Sequence, residues 1–190
     1  MAKKPKILKV YKKRNFSLHH TLIDAARMAM DSAERKEPGF ELHQLICVTM
    51  SSLAIESLVN AHGEAIVENW VHHERAPTIS KLLIVAQVLK VEVDFEKSPW
   101  KDIKWLYGLR NQIAHSKPEK IEEVKNMTAD QYLKDFDRPK SKLEKQITLG
   151  NAQRAHKAAY ELRDAFYFED EDGLYFDSWQ SVSSDNHHGS

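Results

Sequence analysis

Between Glu41 and about Trp70 the chain has no proline and a single glycine, Gly63, and apolar residues cover most of the circumference that one continuous helix would present. A helix that is apolar nearly all round has to be enclosed by other elements, so this one is predicted to be central. One stripe departs from the apolar pattern: Thr49, Ser52, Glu56, Asn60 and Gly63 recur at i, i+3, i+4 spacing and therefore share a face. Buried polar groups require partners.

The remaining sequence divides into segments that can surround such a helix. Ser17 is placed to cap a first helix whose apolar positions are Leu18, Leu22, Ile23, Ala26 and Met30, closed by Pro38-Gly39. Pro77 marks a loop, and a shorter apolar helix follows from about Ile79 to Leu89. Val91 to Phe95 alternates like a strand, but one short strand has nothing to pair with and is read as extended loop. Ser98-Pro99 sets an N-cap with proline at the first helical position, opening a helix that runs to His115 or Ser116 and stops near Pro118. Thr128 to Phe136 reads as a short helix ended by Pro139, and Thr148 begins a final long helix through Ala152, Ala155, Ala159, Leu162 and Phe166. No internal repeat is visible. The expected architecture is all-α: a bundle of about four main helices plus short helices.

At 22.0 kDa the chain suits one core. The single cysteine, Cys47, allows no internal disulfide, and no stretch approaches about 18 uninterrupted apolar residues, so a cytoplasmic protein with no membrane association is expected. The formal net charge of +0 hides an uneven distribution. Lys3, Lys4, Lys6, Lys9, Lys12, Lys13 and Arg14 precede the first acid, Asp24, whereas Glu169, Asp170, Glu171, Asp172 and Asp177 crowd the other end. This suggests a basic arm over residues 1–15, a helical domain over 16–168 and an acidic, flexible tail over 169–190.

The most informative run is Arg110-Asn111-Gln112-Ile113-Ala114-His115. On a wheel of about 100° per residue, Ile103, Leu106, Leu109, Arg110, Ile113 and Ala114 fall on the core side, while Lys104, Gly108, Asn111 and His115 form a separate small, polar, basic flank. Gly108 costs about 1 kcal/mol against alanine inside a helix, and its missing side chain would let a ligand or a second backbone approach. Arg110 offers a planar fork of donors for a phosphate, His115 can exchange protons near neutral pH, and Asn111 could orient either. A phosphodiester beside a 2′-hydroxyl needs these functions and no metal.

The Arg110-Asn111-x-x-x-His115 pattern, with Ala54-Ile55-Glu56-Ser57-Leu58-Val59-Asn60 upstream on a long helix and Leu106-Tyr107-Gly108-Leu109 leading into the motif, resembles the HEPN superfamily over roughly Phe16 to Phe168. The resemblance implies a helical bundle that often dimerises so that two Arg/His pairs face one groove. In many members it implies a metal-independent endoribonuclease whose 2′-OH attack leaves a cyclic phosphate. Such members act as toxins, often beside a nucleotidyltransferase-like antitoxin, or in antiviral defence; others are non-catalytic interaction or RNA-binding modules. The implied site is Arg110, Asn111 and His115 as catalytic residues, Glu56 and Asn60 in support, and Lys104 and Gly108 against RNA, with no cofactor.

Structural roles compete with each assignment. Arg110 on a core face could be one half of a buried pair with Glu56, in which case removing it would cost about 3 to 5 kcal/mol. His115 at a helix C-terminus could serve the free carbonyls and the dipole. Trp100, Trp105 and Tyr107 could stack on bases, but aromatics at helical spacing more often fill cores. The pairs His19-His20, His72-His73 and His187-His188 make a poor metal site, because neighbouring helical residues point about 100° apart. Exposure of His115 separates the two functional readings: a nuclease needs it open, and burial within the monomer would favour the binding module.

Overall fold

Most of the proline-free stretch forms a single helix, α2 (Phe40–Ile66), which stops short of the expected Trp70 at an extended Val67, and four other helices enclose it in the computed structural model, which describes residues 9–14, 16–135, 138–167 and 179–184. These are α1 (Leu18–Glu34), α3 (Thr78–Val88), α4 (Trp100–Ala114) and α6 (Leu149–Ala165). A one-turn helix, α5 (Ala129–Tyr132), and 3-10 turns at Trp70–His72 and Glu144–Gln146 complete the helical inventory of the described residues. The fold is all-α. Among the described residues α2 is the one helix long and apolar enough to cross a membrane, and half of its most apolar window is buried inside the bundle.

Cys47, Val48, Ala54, Ile55, Leu58 and Val59 of α2 are buried against Ile23 and Ala26 of α1, Leu82 and Val85 of α3, Ile103, Leu106 and Leu109 of α4, and Leu162 of α6. Each large side chain so enclosed contributes about 1.5 to 3 kcal/mol. The contact between α2 and α6 is made largely with alanine. Ala152, Ala155, Ala158 and Ala159 are buried, and their small size brings α6 close enough for the Cys47 thiol to donate to the Ala152 carbonyl at 3.4 Å. Burial pushes that thiol up to about 12, so it stays protonated and unreactive.

Local signals place most boundaries within two residues of expectation. Thr148 caps α6 by accepting from the Asn151 N–H at 3.2 Å, and Thr128 and Gln131 form a reciprocal capping box on α5. α5 ends at Tyr132, short of the expected Phe136, because Leu133 to Asp135 turn away from the helix; Phe136 itself lies outside the described residues. Two caps differ. The Ser17 hydroxyl bonds His19 Nδ1 at 2.6 Å, leaving α1 with no side-chain cap. α1 is also rotated relative to expectation, with His19 buried in place of Leu18, which is exposed. Ser98 donates to Asp102, and Pro99 occupies the N-cap position of α4.

The segment Val91–Asp94 is irregular, as the lack of a partner predicts. The strands of the described residues are β1 (Lys9–Arg14) and β2 (Trp179–Ser184), an antiparallel ribbon with Lys9 opposite Ser184 and Arg14 opposite Trp179. Part of the basic arm thus pairs with the distal stretch of the chain, while the acidic run from Glu169 to Asp177 lies outside the described residues.

Two contacts lock the C-terminal end of α2. A Cβ at Gly63 would stand 2.3 Å from the Trp70 ring, so the indole lies flat against bare backbone. His62, also buried, has Nδ1 2.9 Å from the Leu58 carbonyl and Nε2 2.8 Å from the Phe166 carbonyl at the end of α6. Burial depresses the His62 pKa more than the two carbonyls raise it.

Gly63→Ala should therefore destabilise the fold by about 1 to 3 kcal/mol through overpacking, against the gain of about 1 kcal/mol that alanine gives in an unconstrained helix; denaturant midpoints measure the difference. The His62 imidazole predicts a pH dependence as well. Its folded pKa lies below the ordinary 6.5, so the unfolded chain takes up the proton first; stability is full above that value and falls as the solution is acidified. Midpoints should drop from about pH 7.5 to about pH 5, and drop less in His62→Gln.

Candidate functional site

The polar stripe of α2 meets a partner at each position. Thr49 and Ser52 return their hydroxyls to their own helix, donating to the carbonyls of Leu45 at 2.9 Å and Thr49 at 2.8 Å. The Ser52 carbonyl also accepts from the buried Tyr107 hydroxyl of α4 at 3.2 Å. Glu56 faces Arg110 of α4, with 3.8 Å between Oε2 and Nη2. Asn60 faces Lys81 of α3, whose Nζ donates to Oδ1 at 2.7 Å. Gly63 seats Trp70. The stripe is thus the line along which α2 meets α3, α4 and the turn after its own end.

Tyr107 anchors α4 on this line. Burial raises its pKa well beyond the ordinary phenol range; Thr78 of α3 hydrogen-bonds the same hydroxyl, and the charges of Glu56 and Arg110 act on it in opposite directions. A neutral phenol in a packed position fixes the rotation of α4, and that rotation decides which flank faces outward. Lys104, Gly108, Asn111 and His115 are all exposed. Nothing lies within 4 Å of where a Gly108 Cβ would be, so the space over this turn is open. The His115 N–H donates to the Asn111 carbonyl at 3.0 Å, closing the helix. Lys104 lies 5.6 Å from the centroid of the Phe95 ring. The acid of α4, Asp102, is bound by Arg154 at 2.6 Å and by Ser98, which leaves the outward flank free of negative charge from its own helix.

The core side of the wheel needs correction at its last turn. Ile103, Leu106 and Leu109 are buried as expected, but Ile113 is only partly covered and Ala114 is exposed. Arg110 sits at the rim: its side chain is 36% exposed and that of Glu56 is 32% exposed. The helix overhangs the bundle here, because the buried contacts of α4 end at Leu109. Arg110 and Glu56 are therefore a half-solvated pair too long for a hydrogen bond, and Arg110 Nη1 donates to Asn111 Oδ1 at 3.3 Å. The guanidinium is held beside Asn111 on the open side of the motif.

The aromatics divide as core packing predicts. Trp100 and Tyr107 are buried, and Trp105 is half-covered by the Arg154 guanidinium, 4.1 Å from its ring centroid. Of the histidine pairs, His187-His188 lies outside the described residues, and no three His, Cys, Asp or Glu side chains gather as metal ligands among the described residues. Sequence reasoning missed Lys81. It lies 3% exposed, three and four residues before Ile84 and Val85 on α3, so its place on an apolar helical face was the available signal. No family model, curated protein or solved structure matches the chain.

The half-solvated geometry sets a small energetic value on the Arg110–Glu56 pair. Arg110→Ala should cost no more than about 1 kcal/mol, against the 3 to 5 kcal/mol of a buried pair, and its denaturation curve should nearly overlay that of His115→Ala. A loss above about 3 kcal/mol would return Arg110 to the interior.

Proposed function

We propose that the chain is a HEPN-like, metal-independent endoribonuclease acting on single-stranded or looped RNA. The observation that carries this reading is the exposure of His115 on the same outward flank as Asn111, Gly108 and Lys104, with Arg110 held beside Asn111. His115 takes the proton of the ribose 2′-OH as the oxygen attacks phosphorus. The P–O5′ bond breaks, the leaving 5′ oxygen takes a proton from water, and the upstream fragment ends in a 2′,3′-cyclic phosphate. Arg110 stabilises the negative charge that develops on the non-bridging oxygens, and Asn111 orients its guanidinium. Lys104 supplies a cation for a neighbouring phosphate, and the bare backbone at Gly108 admits the strand. A pairing of two copies across this flank, a nucleotidyltransferase-like antitoxin, and a role as a toxin or in antiviral defence belong to the same proposal and rest on the family resemblance.

The rival reading is a non-catalytic RNA-binding or interaction module. It is favoured by the engagement of Arg110 with both Glu56 and Asn111, which would suffice for a structural arginine.

Cleavage of an end-labelled RNA separates the two. The wild-type chain should cut in the presence of EDTA, and His115→Ala should stay folded and lose about 100-fold or more in rate, the scale of a lost general acid–base. If wild type and His115→Ala cut equally, or if chelator abolishes cutting and a divalent ion restores it, the proposed chemistry is wrong. If the wild type cuts nothing, the binding-module reading stands.

A further inference from the structure

A groove of about 570 Å³ opens between the start of α1 and the middle of α2, next to the Glu56–Arg110 pair. Leu18, Leu22 and Leu53 form its apolar walls, and Glu56, Ser57 and Asn60 supply its polar edge. Apolar walls with a few convergent polar groups are the usual make-up of a small-ligand site. The polar edge is chemically specified by a residue behind it. Lys81 is a buried cation with no carboxylate partner among the described residues, and its short hydrogen bond goes to Asn60 Oδ1 at 2.7 Å. An ammonium can only donate, so it fixes which end of the Asn60 amide points inward and leaves the NH₂ group, two donors, for the groove.

Glu56 is one helical turn away, its Cβ about 5 to 6 Å from that of Asn60. Its carboxylate makes no hydrogen bond among the described residues, since Arg110 stands at 3.8 Å. The edge therefore reads donor at Asn60, then two acceptors at Glu56. Among the four RNA bases, guanine alone presents the complement, an acceptor (O6) followed by two donors (N1–H and N2–H). Adenine and cytosine begin with a donor, and uracil ends with an acceptor.

We infer that this groove is a nucleobase pocket selective for guanine, placing a guanosine beside the phosphate held at Arg110. The inference rests on the nuclease reading for the position of that phosphate, and on the groove alone for the choice of base. Lys81 is then a positioning residue: it touches no base and acts by locking the Asn60 amide.

The test is equilibrium binding of the four nucleoside 5′-monophosphates and inorganic phosphate to the full chain, followed by NMR. GMP should bind about tenfold or more tightly than AMP, CMP or UMP, the discrimination expected of a well-matched pair of contacts, and should shift the resonances of Ser57 and Asn60. Asn60→Asp keeps a partner for Lys81 but replaces the donor with an acceptor facing O6, so it should abolish the preference. Lys81→Met frees the amide to flip and should weaken the preference without weakening binding of inorganic phosphate. Four nucleotides within about twofold of one another, or a guanine preference unchanged in Asn60→Asp, would overturn the proposal. If Asn60→Asp does not fold, Lys81→Met and the site of the GMP-induced shifts decide. The two readings fail separately. A chain that prefers GMP but cuts no RNA keeps the pocket and loses the nuclease, and one that cuts after all four bases with no nucleotide preference does the reverse.

Discussion

The need to enclose α2 governs the rest of the molecule. Its apolar circumference is satisfied on most sides by α1 and α6, and the remaining side carries polar groups that a purely apolar neighbour could not satisfy. That side is closed by α3 and α4, which bring a lysine, a threonine, a tyrosine and an arginine to it. The outward flank of α4 follows from this closure. Tyr107 must reach the Ser52 carbonyl, and the rotation that allows it turns Gly108, Asn111 and His115 outward.

The electrostatics follow the same division. Where α4 faces the core its contacts are apolar or are neutral hydrogen bonds, Asp102 on its flank pairs with Arg154 at 2.6 Å, and where the helix leaves the bundle after Leu109 water shares in solvating its charges. Arg110 sits at that border. It is screened enough that its pairing with Glu56 contributes little to stability, and it stays close enough to the flank to be shared with Asn111. A guanidinium placed this way can be drawn toward a phosphate without leaving a buried carboxylate uncompensated, which a fully buried pair would not permit.

Much of this was legible in the residues. The starts of α2, α3, α5 and α6 followed from Gly39, Pro77, Thr128 and Thr148, and the central position of α2 from its composition alone, whereas α1, α2 and α5 end earlier than their sequences suggest. The polar flank of α4 followed from helical spacing. What periodicity could not give was where along a helix the core ends: the wheel assigns Arg110 and Ala114 to the same face as Leu106, although the neighbours of α4 stop short of its last turn. Nor could it show that the Ser17 hydroxyl would prefer His19, since both the backbone and an imidazole nitrogen are suitable partners. The pairing of Lys9–Arg14 with Trp179–Ser184 joins segments at opposite ends of the sequence, and no local pattern announces such a contact. Lys81 was hidden differently. A lone lysine in an apolar helix reads as a side chain reaching for solvent, and only the position of Asn60 across the interface shows why it points inward.

The central claim is that the outward flank of α4 performs phosphodiester chemistry using the substrate's own hydroxyl. The most direct measurement replaces the ribose at a mapped cleavage site with 2′-deoxyribose and follows cutting of that strand beside the all-ribose parent. The account predicts that the substituted linkage is bound but not cut, and that the parent yields an upstream fragment ending in a cyclic phosphate. Cutting of the deoxy linkage, or an upstream product ending in a free 3′-hydroxyl, would contradict it.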